Sequence, residues 1–477
     1  MPPPSLYPSG RLLTARPAST TTVVGRWARP SCSLSMNGCA PGDRGAVCVR
    51  EARVLPAVSA PWDAVGQLMA AVDALGAAAP SGSSPSGIIR IEVPIRQRVD
   101  AIEWLHAQGA LPRCFFSARA PLTDAPAALD LVNGNGGPER AFLSKDCPLI
   151  RAYGAIRFDA TSDASVEWED YGSFYFSIPQ VEFNELEESS VLATTIAWDD
   201  SLSWTWQNAV DRVQSTLQKI SPSSVKVNKS SLQTNIMSLN HVPTKASWDL
   251  AVTKALQMIK GRHSELVKVV LARCSRYITD TCIDPIELLA SLKPEQLFHR
   301  KYLNISSEAL AGTRARGKTR ADDFQIGRDL LLRVGERTQQ FSKPVSVNLQ
   351  MICDEVVAHP TKALRKLPRV QHLSAQLAAR IRNEDDEFDI LNTLHPSPAV
   401  CGLPTKEARY FIRDYEIFDR GMYAGPVGWF GGAENLLLFQ GHSTLVYAGA
   451  GIVEGTNPSF EWDELDLKAS QGFLDLI

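Results

Sequence analysis

Lys268 stands inside LVKVVLAR, a run whose other positions are nearly all apolar on both faces of a strand. An amine in such surroundings loses solvation, which lowers its pKa, and a neutral lysine is a general base able to take a proton from water. From the residues alone, an edge-strand lysine that snorkels to solvent stays open beside that reading. Glu308 lies in ISSEALAGTRARG, just before a Gly312–Thr313 turn whose small residues let backbone amides approach an anion. Such a carboxyl group suits a general acid, and an ordinary turn with a solvated Glu is the alternative. Glu461 and Glu464 are three residues apart in FEWDELDLK and share a helix face. Paired carboxylates suit Mg²⁺, which takes few protein ligands, although a solvated acidic face explains the run equally simply. His395, between the leucine and prolines of LHPSPAVCG, has a fixed ring and no metal-ligand spacing, which leaves a substrate contact and a structural histidine both open. In YAGAGIVEG, Tyr447, Gly449 and Gly451 mark a strand end whose amides are open to a carboxylate, or a site of close packing.

The elements that must carry these residues are partly readable. IIRIEVPI, LIRAYGAIRF, GSFYFSIPQVEF and VLATTIAW are β-branched or aromatic runs bounded by turn residues and predict strands, as do LVKVVLARCSRYI, MYAGPVGWFGG and TLVYAGAGIVEG. Helices are expected near Pro61–Leu75, within RVDAIEWLHAQG up to Gly109, over Leu202–Ile220, from a Ser247 cap to Gly261, and over Arg369–Arg382 and Lys406–Tyr415. PSGSSPSG and SPSSVKVNKSSLQTN read as linkers. The whole is a mixed α/β chain with large sheets.

Composition bounds the function classes. The chain has 477 residues, 44% of them hydrophobic and 21% charged, which fits a soluble enzyme with a large core. Its formal charge of −3 combines a basic start, six Arg against Asp43 in residues 1–50, with an acidic body. That balance argues against nucleic acid as a partner. No stretch reaches the ~18 apolar residues of a membrane span. The nine Cys form no CxxC pair and read as reduced thiols. The Arg-, Ser- and Thr-rich leader, without an apolar core segment, predicts an organellar transit peptide over residues 1–45; a disordered tail is the alternative.

KVVLAR, SEALAGTRARG, LPRVQHL, LHPSPAVCG, DRGMYAGPVGWFGG and YAGAGIVEGTNPSFEWDELDLK occur in this order and resemble the successive motifs of isochorismate synthases, the plant plastid branch above all. The likeness runs from about residue 85 to the end. It implies the anthranilate synthase component I-like fold, α/β (α+β) with two large sheets wrapped by helices. The expected division is an N-terminal portion over 52–220 and a chorismate-binding portion over 245–477. It implies a Mg²⁺-dependent reaction in which water adds at ring position 2 of chorismate while the hydroxyl at position 4 departs. Lys268 is then the base and Glu308 the acid, Glu464 with Glu461 holds the metal, and Thr313, His395, Tyr447 and Gly451 line the substrate. Ammonia-using relatives carry a neutral amide in place of Lys268, so water is the expected nucleophile and no glutamine amidotransferase subunit is expected. The resemblance further implies a chloroplast stromal enzyme feeding salicylate or phylloquinone synthesis.

Three segments depart from the family pattern. LLASLKPEQLFHRK, around Leu292, is shorter, which predicts unpaired neighbouring strands. Leu332–Met351 replaces a helix that in the family carries the other magnesium carboxylate; Gln339 and Gln340 fall near its place, and Pro344 predicts an interrupted helix. Gly432–Val446 lacks the strand bearing an Arg used against a substrate carboxylate. A catalytically impaired variant, acting as a non-catalytic paralogue or regulator, is therefore the alternative expectation.

Overall fold

The computed structural model describes residues 49–77, 85–109, 113–115, 125–134, 149–200, 204–221, 235–262, 264–280, 295–301, 303–358, 363–366, 370–382, 387–431, 434–439 and 445–473. The expected transit peptide, most of both linkers and the segment around Leu292 lie outside these residues. The first half contains β1 (Val49–Val54), α1 (Pro61–Ala77), β2 (Ser86–Ile95), α2 (Ala101–His106), β3 (Arg113–Phe115), β4 (Ala125–Gly134), β5 (Arg151–Ile156), β6 (Phe174–Glu185), β7 (Ser190–Asp199) and α3 (Trp206–Gln218). Next come β8 (Ile236–Val242), α4 (Lys245–Lys260), β9 (Lys268–Thr279), β10 (Glu295–Lys301), β11 (Asn304–Ala315) and α5 (Arg320–Ile352). The chain closes with β12 (Cys353–Ala358), β13 (Ala363–Lys366), β14 (Val370–Ile381), α6 (Glu387–Leu394), β15 (Gly402–Leu403), α7 (Thr405–Tyr415), β16 (Pro426–Gly431), β17 (Glu434–Phe439), β18 (Leu445–Ile452) and α8 (Pro458–Phe473).

Fourteen of these strands form one sheet whose main path is β1-β2-β7-β6-β5-β16-β17-β10-β11-β14-β12, and β8, β9, β15 and β18 form a second. Among the described strands only β1 and β2 pair in parallel. The alternation in IIRIEVPI is realised directly. Ile89, Ile91 and Val93 pack with Leu68 and Val72 of α1 and Val210, Val213 and Leu217 of α3. Arg90 and Glu92 take the other face, where Arg90 donates to Glu182 and to Glu92 at 2.8 Å each and the Tyr153 hydroxyl donates to Glu182 at 2.7 Å. A second core joins Trp248, Val252 and Ala255 of α4, Val269 and Leu271 of β9, Phe411 of α7, Ala450 and Ile452 of β18, and Leu465 of α8. This second core holds the small sheet that carries Lys268.

Several expectations are corrected. Helix α4 is capped by Thr244, whose hydroxyl accepts from the Ser247 amide at 3.3 Å; Ser247 is inside the first turn because its neighbour's side chain already satisfies the open donor. Arg369–Arg382 is not a helix. Its helix-forming Leu, Ala and Gln residues are outvoted by pairing, since β14 ladders with β11 along Val370–Arg380 and with β12 and β13 on its other side. Pro344 does not end α5, a continuous 33-residue helix. Packing on both sides of the proline holds it, through buried Leu330 and Leu349 and a bond from Asn348 to the Thr393 carbonyl at 3.1 Å. The strands near Leu292 are not left unpaired: β10 has β11 on one side and β17 on the other. A strand is also present within Gly432–Val446, but β17 reads ENLLLF and brings no Arg.

Two glycines test this packing from opposite directions. A Cβ on Gly154 of β5 would lie 1.8 Å from the Tyr175 carbonyl oxygen and 2.7 Å from the Phe176 Cα, whereas one on Gly66 of α1 meets nothing within 4 Å. Gly154→Ala should destabilise the fold by about 1–3 kcal/mol or more, and Gly66→Ala should stabilise it by about 0.4–1 kcal/mol, read as urea midpoints.

Candidate active site

β9 runs through the middle of the small sheet. β18 pairs with it from Val269 to Arg276, β15 covers Lys268 and Val269 on the other side, and β8 covers its far end. The edge-strand reading of Lys268 is thereby excluded. A side chain at residue 451 would place its Cβ 3.0 Å from Lys268 Cε and 3.7 Å from Nζ, so Gly451 is what leaves room for the lysine. Nζ donates to the Pro398 carbonyl at 2.9 Å, which ties the amine to the LHPSPAVCG turn. Burial, and then the positive charge of Lys468, lower the Lys268 pKa to about 8, with the Cys401 thiol acting in the opposite sense. The residue is partly accessible while its amine is desolvated. A base that must meet a substrate needs that combination.

His395 sits in the same turn. Its Nε2 lies 3.1 Å from the Phe158 carbonyl, to which only a protonated nitrogen can donate, and burial lowers its pKa to about 4. The ring is therefore neutral, and Nδ1 is a buried acceptor without a partner among the described residues. Tyr447 lies at the other end of β18, about 14 Å from Gly451 at ~3.4 Å per residue. Its ring stacks on Tyr423 at 5.1 Å, with Phe418 and Trp168 at 5.9 and 6.4 Å, and burial first, then the Cys274 thiol, push its pKa up. A cleft of about 650 Å³ opens there, lined by Tyr447, Phe158, Phe418, Arg276, Arg409 and Arg413 among others. The structure thus brings Lys268, Gly451 and the His395 turn together, whereas Tyr447, on the same strand as Gly451, lines a cleft that none of the three enters.

On α8, Glu461, Glu464 and Lys468 occupy successive turns beside the outer edge of β18. Lys468 Nζ is 2.8 Å from Glu464 and donates to the Gly449 carbonyl at 2.7 Å. The Glu461 pKa is raised to about 7 by burial and then by the Glu464 charge, against the opposing pull of Lys468 and Arg314. Glu461 is thus partly desolvated beside a second negative charge, a setting in which a divalent cation would relieve the repulsion. Among the described residues no three His, Cys, Asp or Glu converge. Glu308 and Thr313 lie on β11, opposite Gln376 and His372 of β14, with a bulge between Ala311 and Thr313. Their side chains, and those of Gln339 and Gln340 on α5, are outside the described ones.

The profile of the chorismate binding enzymes matches residues 143–293 and 291–473. The chain belongs to the chorismate-binding enzyme family. It is 43% identical over 504 aligned residues to Isochorismate synthase 2, chloroplastic, of Arabidopsis thaliana, covering 92% of this chain and 89% of that one. It is 42% identical over 527 to Isochorismate synthase, chloroplastic, of Catharanthus roseus, covering 94% and 90%. Both aligned lengths exceed the 477 residues here, so each relative has residues that face gaps in this chain. The two profile segments meet at 291–293, beside the shortened segment at Leu292. Among solved structures, MenF, the menaquinone-specific isochorismate synthase of Escherichia coli, superposes with a TM-score of 0.71 at 22% identity, covering 87% of this chain and 99% of that one. Anthranilate synthase component I of Streptococcus pneumoniae gives 0.54 at 16%, covering 74% and 93%. The chorismate-binding enzyme fold expected from the motifs is therefore the fold observed.

Lys468 belongs to the site although no motif marks it; its place four residues after Glu464, the ordinary spacing of a helical ion pair, is the signal for it. Glu416 and Arg420 are unmarked too: they pair with each other at i,i+4, but their bonds to β9 span more than a hundred residues.

The lysine carries a stability cost with a definite sign. Its folded pKa, about 8, lies below the ordinary 10.5, so below pH 8 the fold holds a proton it disfavours, and stability rises with pH between those values. Lys268→Met should raise stability at pH 7 by about 1–3 kcal/mol, with the difference from the parent shrinking between pH 8 and 10.5 in urea titrations.

Proposed function

We propose that the chain is an isochorismate synthase, converting chorismate to isochorismate in the plastid stroma. The observation that carries this reading is the desolvated Lys268 amine beside Gly451. In its neutral form Nζ takes a proton from water, and the water oxygen bonds to ring position 2. Both ring double bonds shift by one position, the bond from position 4 to its hydroxyl breaks, and the departing oxygen takes a proton from Glu308, assigned by motif. Water enters and water leaves, so the product is an isomer. The His395 Nδ1 lone pair is available to a hydroxyl, and Thr313, Tyr447 and Gly451 line the ring and its carboxylates. Glu464 with Glu461 would hold Mg²⁺, and the repulsion between them supports that assignment. The ion, when bound, supplies positive charge to the ring carboxylate.

The rest of the reading follows the family resemblance. Residues 1–45 are a removable leader, 52–220 and 245–477 are two portions of one synthase unit, and no amidotransferase subunit is required. The product enters salicylate or phylloquinone synthesis. One observation favours an impaired enzyme acting as a non-catalytic partner: β17 offers no Arg for a substrate carboxylate. The Gln339 and Gln340 positions, which have no charge for a metal, point the same way.

Chromatography of chorismate incubated with the purified chain and Mg²⁺ tests both readings. Isochorismate should form, with a rate that rises through a midpoint near pH 8 as Lys268 loses its proton. Restoring family-like segments at Leu332–Met351 and Gly432–Val446 should lower the Mg²⁺ needed for half-saturation and raise turnover by orders of magnitude. Anthranilate, or salicylate with pyruvate, as main product would contradict the synthase reading. Equal Mg²⁺ dependence in both chains would contradict the placing of the defect.

A further inference from the structure

Between β15 and β8, one side of β9 has no strand against Val270 and Ala272 among the described residues. The Val270 amide still donates to the Cys401 carbonyl at 2.7 Å, and beyond it side chains complete the ladder. Glu416 Oε1 accepts from the Ala272 amide at 2.7 Å, and Arg420 Nη2 donates to the Val270 carbonyl at 2.7 Å. The two side chains are bonded to each other, Arg420 Nε to Glu416 Oε2 at 2.8 Å, and are 3% and 5% exposed. Arg420 Nη1 donates to the Val400 carbonyl at 2.8 Å, two residues past the Pro398 carbonyl that receives Lys268. The same guanidinium lies 4.3 Å from the centre of the Phe158 ring, and the Phe158 carbonyl faces His395 Nε2. Both terminal nitrogens of this fork are therefore aimed at segments that carry a residue of the site, Nη1 at the His395 turn and Nη2 at β9.

We propose that Glu416 and Arg420 form a positioning unit for the reaction, standing in for a missing strand beside β9 and fixing Lys268 and His395 relative to one another. Neither residue touches the substrate, and the role in catalysis rests on the proposed reading of Lys268 as base. A buried ion pair is a poor device for stability alone, because desolvation offsets much of its attraction and apolar residues pack the same space at no such cost. Directional bonds to Val270, Ala272 and Val400 are what apolar residues would not supply. A planar guanidinium meets several acceptors at once, which an ammonium does not. Loss of the unit would open the ladder two residues from Lys268 and admit water to the amine. The groups that act on that amine, Lys468 on α8 and the Cys401 thiol ahead of α7, would remain in place.

The test reads Lys268 directly in the full chain and needs no turnover. Reductive methylation with formaldehyde is followed against pH, and the Lys268 peptide is quantified by mass spectrometry. The parent should show a midpoint near pH 8, and Glu416→Gln and Arg420→Lys should each move it upward by a unit or more toward 10.5. Arg90→Lys, in the separate buried cluster of the first half, controls for general loosening and should leave the midpoint unmoved. Where chorismate is converted, kcat should fall about ten- to a hundred-fold with KM little changed, as misplacement rather than lost binding predicts. Unmoved midpoints in folded Glu416→Gln and Arg420→Lys overturn the proposal. So does failure of both to fold while Arg90→Lys folds, since the pair is then purely structural. Shifted midpoints in a chain that makes no isochorismate leave the positioning unit standing and remove the synthase reading instead.

Discussion

Everything in this site depends on keeping one amine out of water without closing it off. β9 achieves this by being covered on both sides, by β18 along one and by β15, β8 and two side chains along the other. Lys268 emerges at its start, where Gly451 withdraws a Cβ that would otherwise meet the lysine stem at 3.0 Å. Desolvation then lowers its pKa to about 8. A base near the ambient pH is efficient because it is often unprotonated and still takes a proton readily. The cost falls on stability, as is common where active sites hold groups the fold alone would not choose.

The carboxylate side of the site follows the same logic with the opposite charge. Glu461 and Glu464 face one another across less than a helical turn, and Lys468 holds Glu464 while also reaching the Gly449 carbonyl. That single ammonium raises the cost of protonating Lys268 and lowers the cost of ionising Glu461. The two ends of the site are thus electrostatically coupled through Lys468, and a change at either would be felt at the other. Arg314 brings β11, the strand of Glu308 and Thr313, into the same field.

Much of this was legible in the residues. The apolar run around Lys268, the strand character of YAGAGIVEG and the alternation in IIRIEVPI are local patterns, and the strands built from them are where the patterns place them. The failures are non-local. Nothing in RVQHLSAQLAAR opposes a helix, and only its partners β11, β12 and β13 make it a strand. Pro344 signals a break that packing against neighbours prevents. Glu416 and Arg420 look like ordinary charged residues of DYEIFDRG, because the groups they meet, the Ala272 amide and the Val270 carbonyl, lie on β9, more than a hundred residues earlier. Gly451 was legible as a small residue at a strand end, but its reason, the lysine stem beneath it, is visible only in three dimensions.

If Lys268 activates a water molecule, as proposed, the fate of solvent oxygen shows it most directly. Conversion of chorismate in water enriched in oxygen-18, with the product analysed by mass spectrometry, should give isochorismate carrying one heavy oxygen, located at ring position 2. Product that retains only its original oxygens would mean that the hydroxyl migrates without solvent, and Lys268 would then have no water to activate.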